Sequence, residues 1–390
     1  MTAIRIAAIG VCALLVSTAA SAQDTLRDVL TFLMTNQAVQ TGDFERDRAA
    51  AETARDTLAR SLLINLTSAP IGASSGGFLY RLNPELGTVE RASETFGTLF
   101  VERALTSGQG NVLFGVSGSA ASYRRLNGFE LGDGSFLTVA NRFRDEAQPF
   151  DTEALTMNLS ASTMTMFANV GVTDALDLGI VVPIVRVKVD GERVNVYRGT
   201  SFVQAAGNGT ASGLADIALR AKYAFVQTRA GSLAGAGELR LPTGDEENLL
   251  GAGSRSWRVM AVASVERGAA SLHANGGISR GGLSDETFFA GALSVAVHPR
   301  ATFTGEVLHR RVTDLHDFSL TAAPHPTVSG VDTYRLTSGT EGTRLWTAIT
   351  GVKWNVGDTV VIGGHLLWSL TEHGLTARVT PTVAVEYSIR

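Results

Sequence analysis

Leu214-Ala215-Asp216-Ile217-Ala218-Leu219-Arg220-Ala221-Lys222-Tyr223-Ala224-Phe225 alternates residue by residue, with Ile217, Leu219, Ala221, Tyr223 and Phe225 against Asp216, Ala218, Arg220, Lys222 and Ala224. Successive side chains of a strand point to opposite faces, so the stretch reads as a β-strand with one apolar and one polar face. The same period of two continues downstream. Trp257, Val259, Ala261, Ala263 and Val265 oppose Arg258, Ser264 and Glu266, and Leu272, Ala274 and Ile278 oppose Ser271, His273 and Asn275. Phe303, Gly305 and Val307 oppose Thr302, Thr304 and Glu306, while Trp346, Ala348, Val352 and Trp354 oppose Thr347 and Lys353. Val379, Val383, Val385, Tyr387 and Ile389 oppose Arg378, Thr380, Thr382 and Glu386. A soluble sandwich would produce this pattern too, with the apolar face as its core.

The connections separate the two architectures, because outer-membrane barrels alternate short periplasmic turns with longer extracellular loops. Segments 173–174, 228–231, 267–268, 298–300 and 357–358 are short, and they interleave with 190–213, 243–255, 281–285 and 313–342, which are longer. Only 372–374 departs, as a short external hairpin. The final strand then runs toward the periplasm. Strands are expected at 98–105, 111–125, 153–172, 175–189, 214–227, 232–241, 256–266, 269–279, 286–297, 301–311, 343–355, 359–370 and 376–389. That total is odd, whereas single-chain bacterial barrels have an even number. Either 77–82 adds a strand, giving 14, or 98–105 belongs to a plug, giving 12; 14 is favoured. The expected fold is thus an all-β transmembrane antiparallel β-barrel with an α-helical N-terminal segment.

Composition agrees. Of 390 residues 44% are hydrophobic and 18% charged, which excludes a disordered chain, and the single Cys excludes a disulfide scaffold. The mean hydropathy is +0.13. Beyond the N-terminus no apolar run approaches the roughly 18 residues of a spanning helix, which leaves a closed barrel as the membrane option. A net charge of −4 and no Lys/Arg block argue against nucleic acid as a partner. Residues 1–22 read as a signal peptide, with Arg5, an apolar stretch from Ile6 to Val16, and Ala20-Ser21-Ala22 before the cleavage point. Cys12 lies inside the apolar stretch behind Val11, which does not suit lipidation. Residues 23–95 form a helical plug or periplasmic segment, and 96–390 the barrel. Helical spacing places Leu26, Val29, Leu30 and Leu33 on one stripe and Phe44, Ala50, Ala54, Leu58 and Leu62 on another, beside Arg46, Arg48, Arg55 and Arg60. Those arginines are expected to enter the lumen and meet Glu238, Glu266, Glu306 and Glu386.

Strand parity defines the lumen-lining candidates: Asp216, Arg220, Lys222, Glu238, Arg240, Arg258, Glu266, His273, Glu306, Arg310, Lys353, His365, Arg378 and Glu386. Opposite charges on neighbouring strands pair across a polar interior, and an excess of basic groups would favour anionic or polarisable solutes. His273 and His365 with Ser264, Ser271 and Ser369 raise a Ser/His hydrolase, but they face the lumen rather than lipid, and no catalytic residue is assigned. No H-E-x-x-H, P-loop or paired-cysteine motif is present. Asp245-Glu246-Glu247-Asn248 has hard oxygen donors for Ca²⁺ but reads more simply as a solvated loop. No cofactor or metal is expected. Trp257, Phe288, Trp346, Trp354, Trp368 and Tyr387 fall where interfacial girdles would lie, and Pro183 inside a strand marks a kink where a sideways opening could form.

Gly171-Val172-Thr173-Asp174-Ala175-Leu176-Asp177-Leu178-Gly179-Ile180-Val181-Val182-Pro183, Gly213-Leu214-Ala215-Asp216-Ile217-Ala218-Leu219-Arg220-Ala221-Lys222-Tyr223 and Glu238-Leu239-Arg240-Leu241-Pro242-Thr243-Gly244-Asp245 resemble the meta-pathway phenol-degradation family of outer-membrane proteins, over about 96–390. More distantly that family resembles outer-membrane transporters of fatty acids and aromatic hydrocarbons. The resemblance implies a barrel plugged by its N-terminal segment, with outer-membrane lipid, the barrel-assembly machinery and a small hydrophobic solute as partners. Two features depart from it: the chain ends Tyr387-Ser388-Ile389-Arg390 without a terminal aromatic, and 23–65 is more helical than a typical hatch.

Overall fold

The computed structural model describes residues 25–35, 44–67, 72–73, 77, 80–83, 88–91, 93–228, 231–357 and 359–389. The expected signal peptide, Arg390 and the side chains of Arg46, Arg48 and Arg55 lie outside them. Two helices, α1 (Leu26–Thr35) and α2 (Phe44–Thr67), precede a hairpin of β1 (Tyr80–Asn83) and β2 (Thr88–Arg91). The rest is sheet: β3 (Val112–Tyr123), β4 (Arg125–Leu126), β5 (Phe129–Glu130), β6 (Leu137–Phe143), β7 (Asp151–Gly171), β8 (Leu176–Tyr197), β9 (Thr200–Leu214) and β10 (Ala218–Gln227). There follow β11 (Ser232–Arg240), β12 (Ser256–Arg267), β13 (Ala270–Gly281), β14 (Glu286–His298), β15 (Ala301–Pro324), β16 (Val331–Gly357), β17 (Val360–Ser369), β18 (Leu375–Thr376) and β19 (Val379–Ile389).

Fourteen strands join in one sheet. Twelve of them close on themselves in the order β3, β7, β8, β10, β11, β12, β13, β14, β15, β16, β17, β19 and back to β3, every pair antiparallel. The other two, β6 and β9, pair only with strand extensions outside the ring. The sheet therefore has the favoured number and the ring the alternative one. Two expected contributors differ: 77–82 yields only part of the separate β1–β2 pair, and 98–105 is not a strand at all. The latter's residues are buried inside the ring, where a strand would find no edge to join.

Closure explains the alternation. Leu219, Tyr223, Val259, Leu272, Val307 and Val385 point outward and form an exposed apolar belt, the side that lipid covers, while Lys222, Ser264, Thr304 and Glu386 are buried inward. This is a transmembrane β-barrel. The connections β7–β8, β10–β11, β12–β13, β14–β15 and β16–β17 are tight and lie at one rim, the turn end. At the other rim the strands outrun the belt. The segments 190–213 and 313–342, expected as loops, instead continue as strand hairpins β8–β9 and β15–β16. Alternation persisted there in polar sequence, and pairing with β6 and with the helices supplies what lipid supplies below.

That hairpin end holds the main apolar core. Leu26, Leu30, Leu33 and Met34 of α1 and Leu58, Leu62 and Leu63 of α2 pack with Leu126, Phe136, Leu155, Val187, Val189 and Phe318. Burying each large side chain is worth about 1.5–3 kcal/mol, which meets the helices' need for a partner surface without placing them in the membrane. Helix α1 starts in a capping box: Thr25 Oγ1 accepts the Asp28 amide and Asp28 Oδ2 accepts the Thr25 amide. The Thr25 hydroxyl, which donates to Asp28 Oδ2 at 2.8 Å, and then the Thr25 amide hold the Asp28 carboxyl below its ordinary pKa. The helix lies on a glycine bed, since a Cβ at Gly209 would stand 2.8 Å from Leu26 Cδ2 and one at Gly191 2.7 Å from Leu33 Cδ1.

The lumen, its finger and its cavity

Gly72 and Gly77 lie against the lumen residues, their carbonyls accepting from Arg220 and Arg103, and 93–107 form an extended finger inside the lumen before β3 begins. Without strand partners, the finger's amides need other acceptors. Wall side chains provide them. Thr302 Oγ1 accepts the Phe96 amide at 3.0 Å, Asn275 Oδ1 that of Glu102, Ser264 Oγ that of Ala104 at 2.9 Å, and Asp177 that of Ser107 at 3.0 Å. The tip is held by one carboxylate: Glu306 accepts the amides of Leu99, Phe100 and Val101. Around it Leu99 and Val101 pack on Ala292, Leu308 and Ile349.

The charged lumen residues pair as strand register dictates. Arg220, Glu238 and Arg258 occupy one cross-strand row, where Glu238 binds Arg220 Nε at 2.9 Å and Arg240 Nε at 2.8 Å. Both arginines also donate to backbone carbonyls, Arg220 to that of Gly72 and Arg240 to that of Thr67 at the end of α2. Arg310 pairs with Glu286, as Arg258 does at 3.6 Å while its guanidinium lies 4.9 Å over Phe288. Lys353 Nζ meets Glu386 at 2.6 Å. Lys222 sits 3.7 Å from Glu102 and 3.8 Å from Asp177 and donates to the Arg103 carbonyl. Glu266 accepts from Ser93 Oγ. Asp216 accepts the amides of Gly244 and Ala252 and so folds the 241–255 loop over the hairpin end. His365 is buried against Gly351 and Gly363.

Several expectations are corrected. Arg378 is an exposed bend residue between β18 and β19, outside the wall, because the strand begins one residue later. Phe288 faces inward and Phe289 outward: Glu286 fixes the parity of β14, which the aromatic pair obscures in the sequence. Arg60 does not reach the luminal carboxylates; it donates to the Leu283 carbonyl and lies 3.8 Å from Asp314. The carboxylates proposed for it are taken by Arg220, Arg240, Ser93, Lys353 and the finger. The acidic loop, read as a solvated one, caps α1: Glu247 pairs with Arg27, and Asn248 Oδ1 accepts the Leu26 amide. Among the described residues no cluster of metal-ligating side chains occurs. Ser264 Oγ and His273 Nδ1 do meet, at 2.9 Å, but inside the ring and against the finger. Asp177, Glu286 and Asn275 were missed as site residues: alternation with the outward Leu178 would have placed Asp177 inward, Asn275 stood on the polar face without being singled out, and Glu286 was hidden because Phe288, two residues on, was read as a girdle residue.

Pro183 lies where β8 changes partner: Leu176 to Val181 pair with β10, and Ile184 to Tyr197 with β9. One bond, from the Ala215 amide to the Pro183 carbonyl at 2.9 Å, bridges the junction. Beside it, between the finger tip and α2, the lumen keeps a cavity of about 250 Å³.

A membrane-spanning β-barrel with a self-inserted finger is thus the class that the fold and the lumen define. Residues 138–387 match the family described as "Putative MetA-pathway of phenol degradation", and the chain belongs to that family. No curated protein matches the sequence. Among solved structures, an outer membrane channel from Pseudomonas putida F1 is similar with a TM-score of 0.46 at 12% identity, over 73% of this chain and 98% of that one. The translocator domain of the autotransporter NalP from Neisseria meningitidis gives 0.38 at 9% identity, over 73% and 89%. The outer membrane protein OprD from Pseudomonas aeruginosa gives 0.27 at 11%, over 74% and 97%.

Proposed function

We propose that this protein is an outer-membrane channel for the uptake of small hydrophobic or aromatic compounds, exported by its signal peptide and inserted by the barrel-assembly machinery. The observation that carries the reading is the finger. It fills a closed ring with an apolar exterior yet is held by side chain-to-amide bonds, with no strand pairing to break, as a displaceable plug requires. The phenol-degradation description of the family agrees with an aromatic cargo. A structural barrel whose helices recruit a periplasmic partner is less favoured, since the α1 and α2 leucines are already buried in the chain's own core. A lipid-acting enzyme would need its nucleophile on the outer wall, whereas Ser264 faces inward.

The test is uptake of a radiolabelled aromatic solute by intact Gram-negative cells, whose lipopolysaccharide leaflet slows unassisted passage. Expression of the chain should raise the initial rate several-fold over an empty vector. An unchanged rate, with the folded barrel present in the outer membrane, would overturn the proposal.

A further inference from the structure

The cavity beside Pro183 has a composition that its size alone does not explain. Ser117 and Ser119 of β3, Thr163 and Thr165 of β7, and Thr380 and Thr382 of β19 all line it. Register makes them one patch: Ser117 lies opposite Thr165, and Ser119 opposite both Thr163 and Thr382. Thr165 and Thr382 are only 9% and 7% exposed. Among the described residues none of these six hydroxyls has a side-chain hydrogen-bond partner, although the charged residues elsewhere in the lumen are almost all paired. The four besides Thr165 and Thr382 are half-buried, and hydroxyls that open onto a cavity are ordinarily satisfied by the water or ligand in it.

The facing surfaces are apolar. Leu99 and Phe100 of the finger form the floor, Leu66 and Leu250 the roof, and Val185 and Leu367 the flanks. At the rim, Arg240 is committed to Glu238 and Thr67, and Asp216 to two loop amides. Charge is therefore already answered, while hydroxyls that both donate and accept are not. At roughly 30 Å³ per water, 250 Å³ holds about eight waters or one solute of comparable heavy-atom count.

We infer that this cavity is a binding site for a neutral monocyclic aromatic molecule bearing a hydrogen-bonding group, its ring against Leu99, Phe100 and Leu250 and its polar group on the hydroxyl strip. The inference rests on the uptake reading and names its substrate class.

Isothermal titration of the purified full-length protein in detergent micelles, against empty micelles, with 4-methylphenol, toluene and 4-methylbenzoate tests it. 4-Methylphenol should saturate a single site, with toluene and 4-methylbenzoate each at least tenfold weaker, because a site built around hydrogen bonds discriminates strongly against an analogue lacking the group. The near-isosteric double variant T165V/T382V should weaken 4-methylphenol about tenfold and leave toluene unchanged, with heat-modifiable migration on gels reporting that the barrel is folded. Equal affinity for 4-methylphenol and toluene, or an unaltered double variant, would overturn the role of the hydroxyls. Preference for 4-methylbenzoate would shift selection to Arg240 and overturn neutrality. Absence of saturable binding would overturn the site. None of these results bears on cellular uptake, whose failure would be read separately in intact cells.

Discussion

Ala221 and Lys222 are neighbours with opposite fates. Ala221 faces outward in the apolar belt, and Ala221→Arg should destabilise the inserted barrel by about 2–4 kcal/mol if it lies near the membrane midplane. Parity alone makes Lys222→Ala a mild change in a wet lumen. The structure reverses that expectation, because Lys222 is 3% exposed and stands between Glu102 and Asp177. Removing one partner of a buried ion pair typically costs about 3–5 kcal/mol through the charges left behind. Reversible urea unfolding in lipid vesicles measures both variants. A loss below about 1 kcal/mol for Lys222→Ala would show that water, not Lys222, compensates the two carboxylates.

At the scale of elements, the finger and the helices divide the work that one plug was expected to do. The helices close the hairpin end through an apolar core, and the finger fills the membrane-level lumen through amide contacts. Glu306 is the point where those contacts converge. Glu306→Ala strips the acceptor from three consecutive amides, each costing about 1–3 kcal/mol if left buried and unsatisfied. The wall strands do not depend on it, so the barrel should still fold while ion conductance in planar bilayers rises. Conductance equal to that of the unaltered protein would mean that Thr302, Asn275, Ser264 and Asp177 suffice to hold the finger.

Over the whole molecule, orientation follows from the asymmetry of the rims. The β15–β16 hairpin projects furthest from the belt, and Val328 at its tip is exposed. Val328→Cys should react with an impermeant maleimide on intact cells, since the longer connections of outer-membrane barrels face outward. Reaction only after the outer membrane is permeabilised would invert the barrel, and place α1 and α2 in the periplasm.

The alternation from Leu214 to Phe225 and its repeats, taken with the interleaved short and long connections, were enough to establish a barrel wall, because a period of two with one apolar face is a local property and lipid rewards it strand by strand. The inward parity of Arg220, Lys222, Glu238, Glu306 and Glu386 was legible for the same reason. Local pattern could not tell that 98–105 lies inside the ring, since a buried extended segment and a buried strand present the same apolar sequence and differ only in where their amides find acceptors. Nor could it assign Glu306 to a peptide tip rather than to an arginine, or gather the hydroxyls of β3, β7 and β19, separated by up to 265 residues, into one patch. Those depend on which strands become neighbours when the ring closes, a long-range condition that only the tertiary structure satisfies.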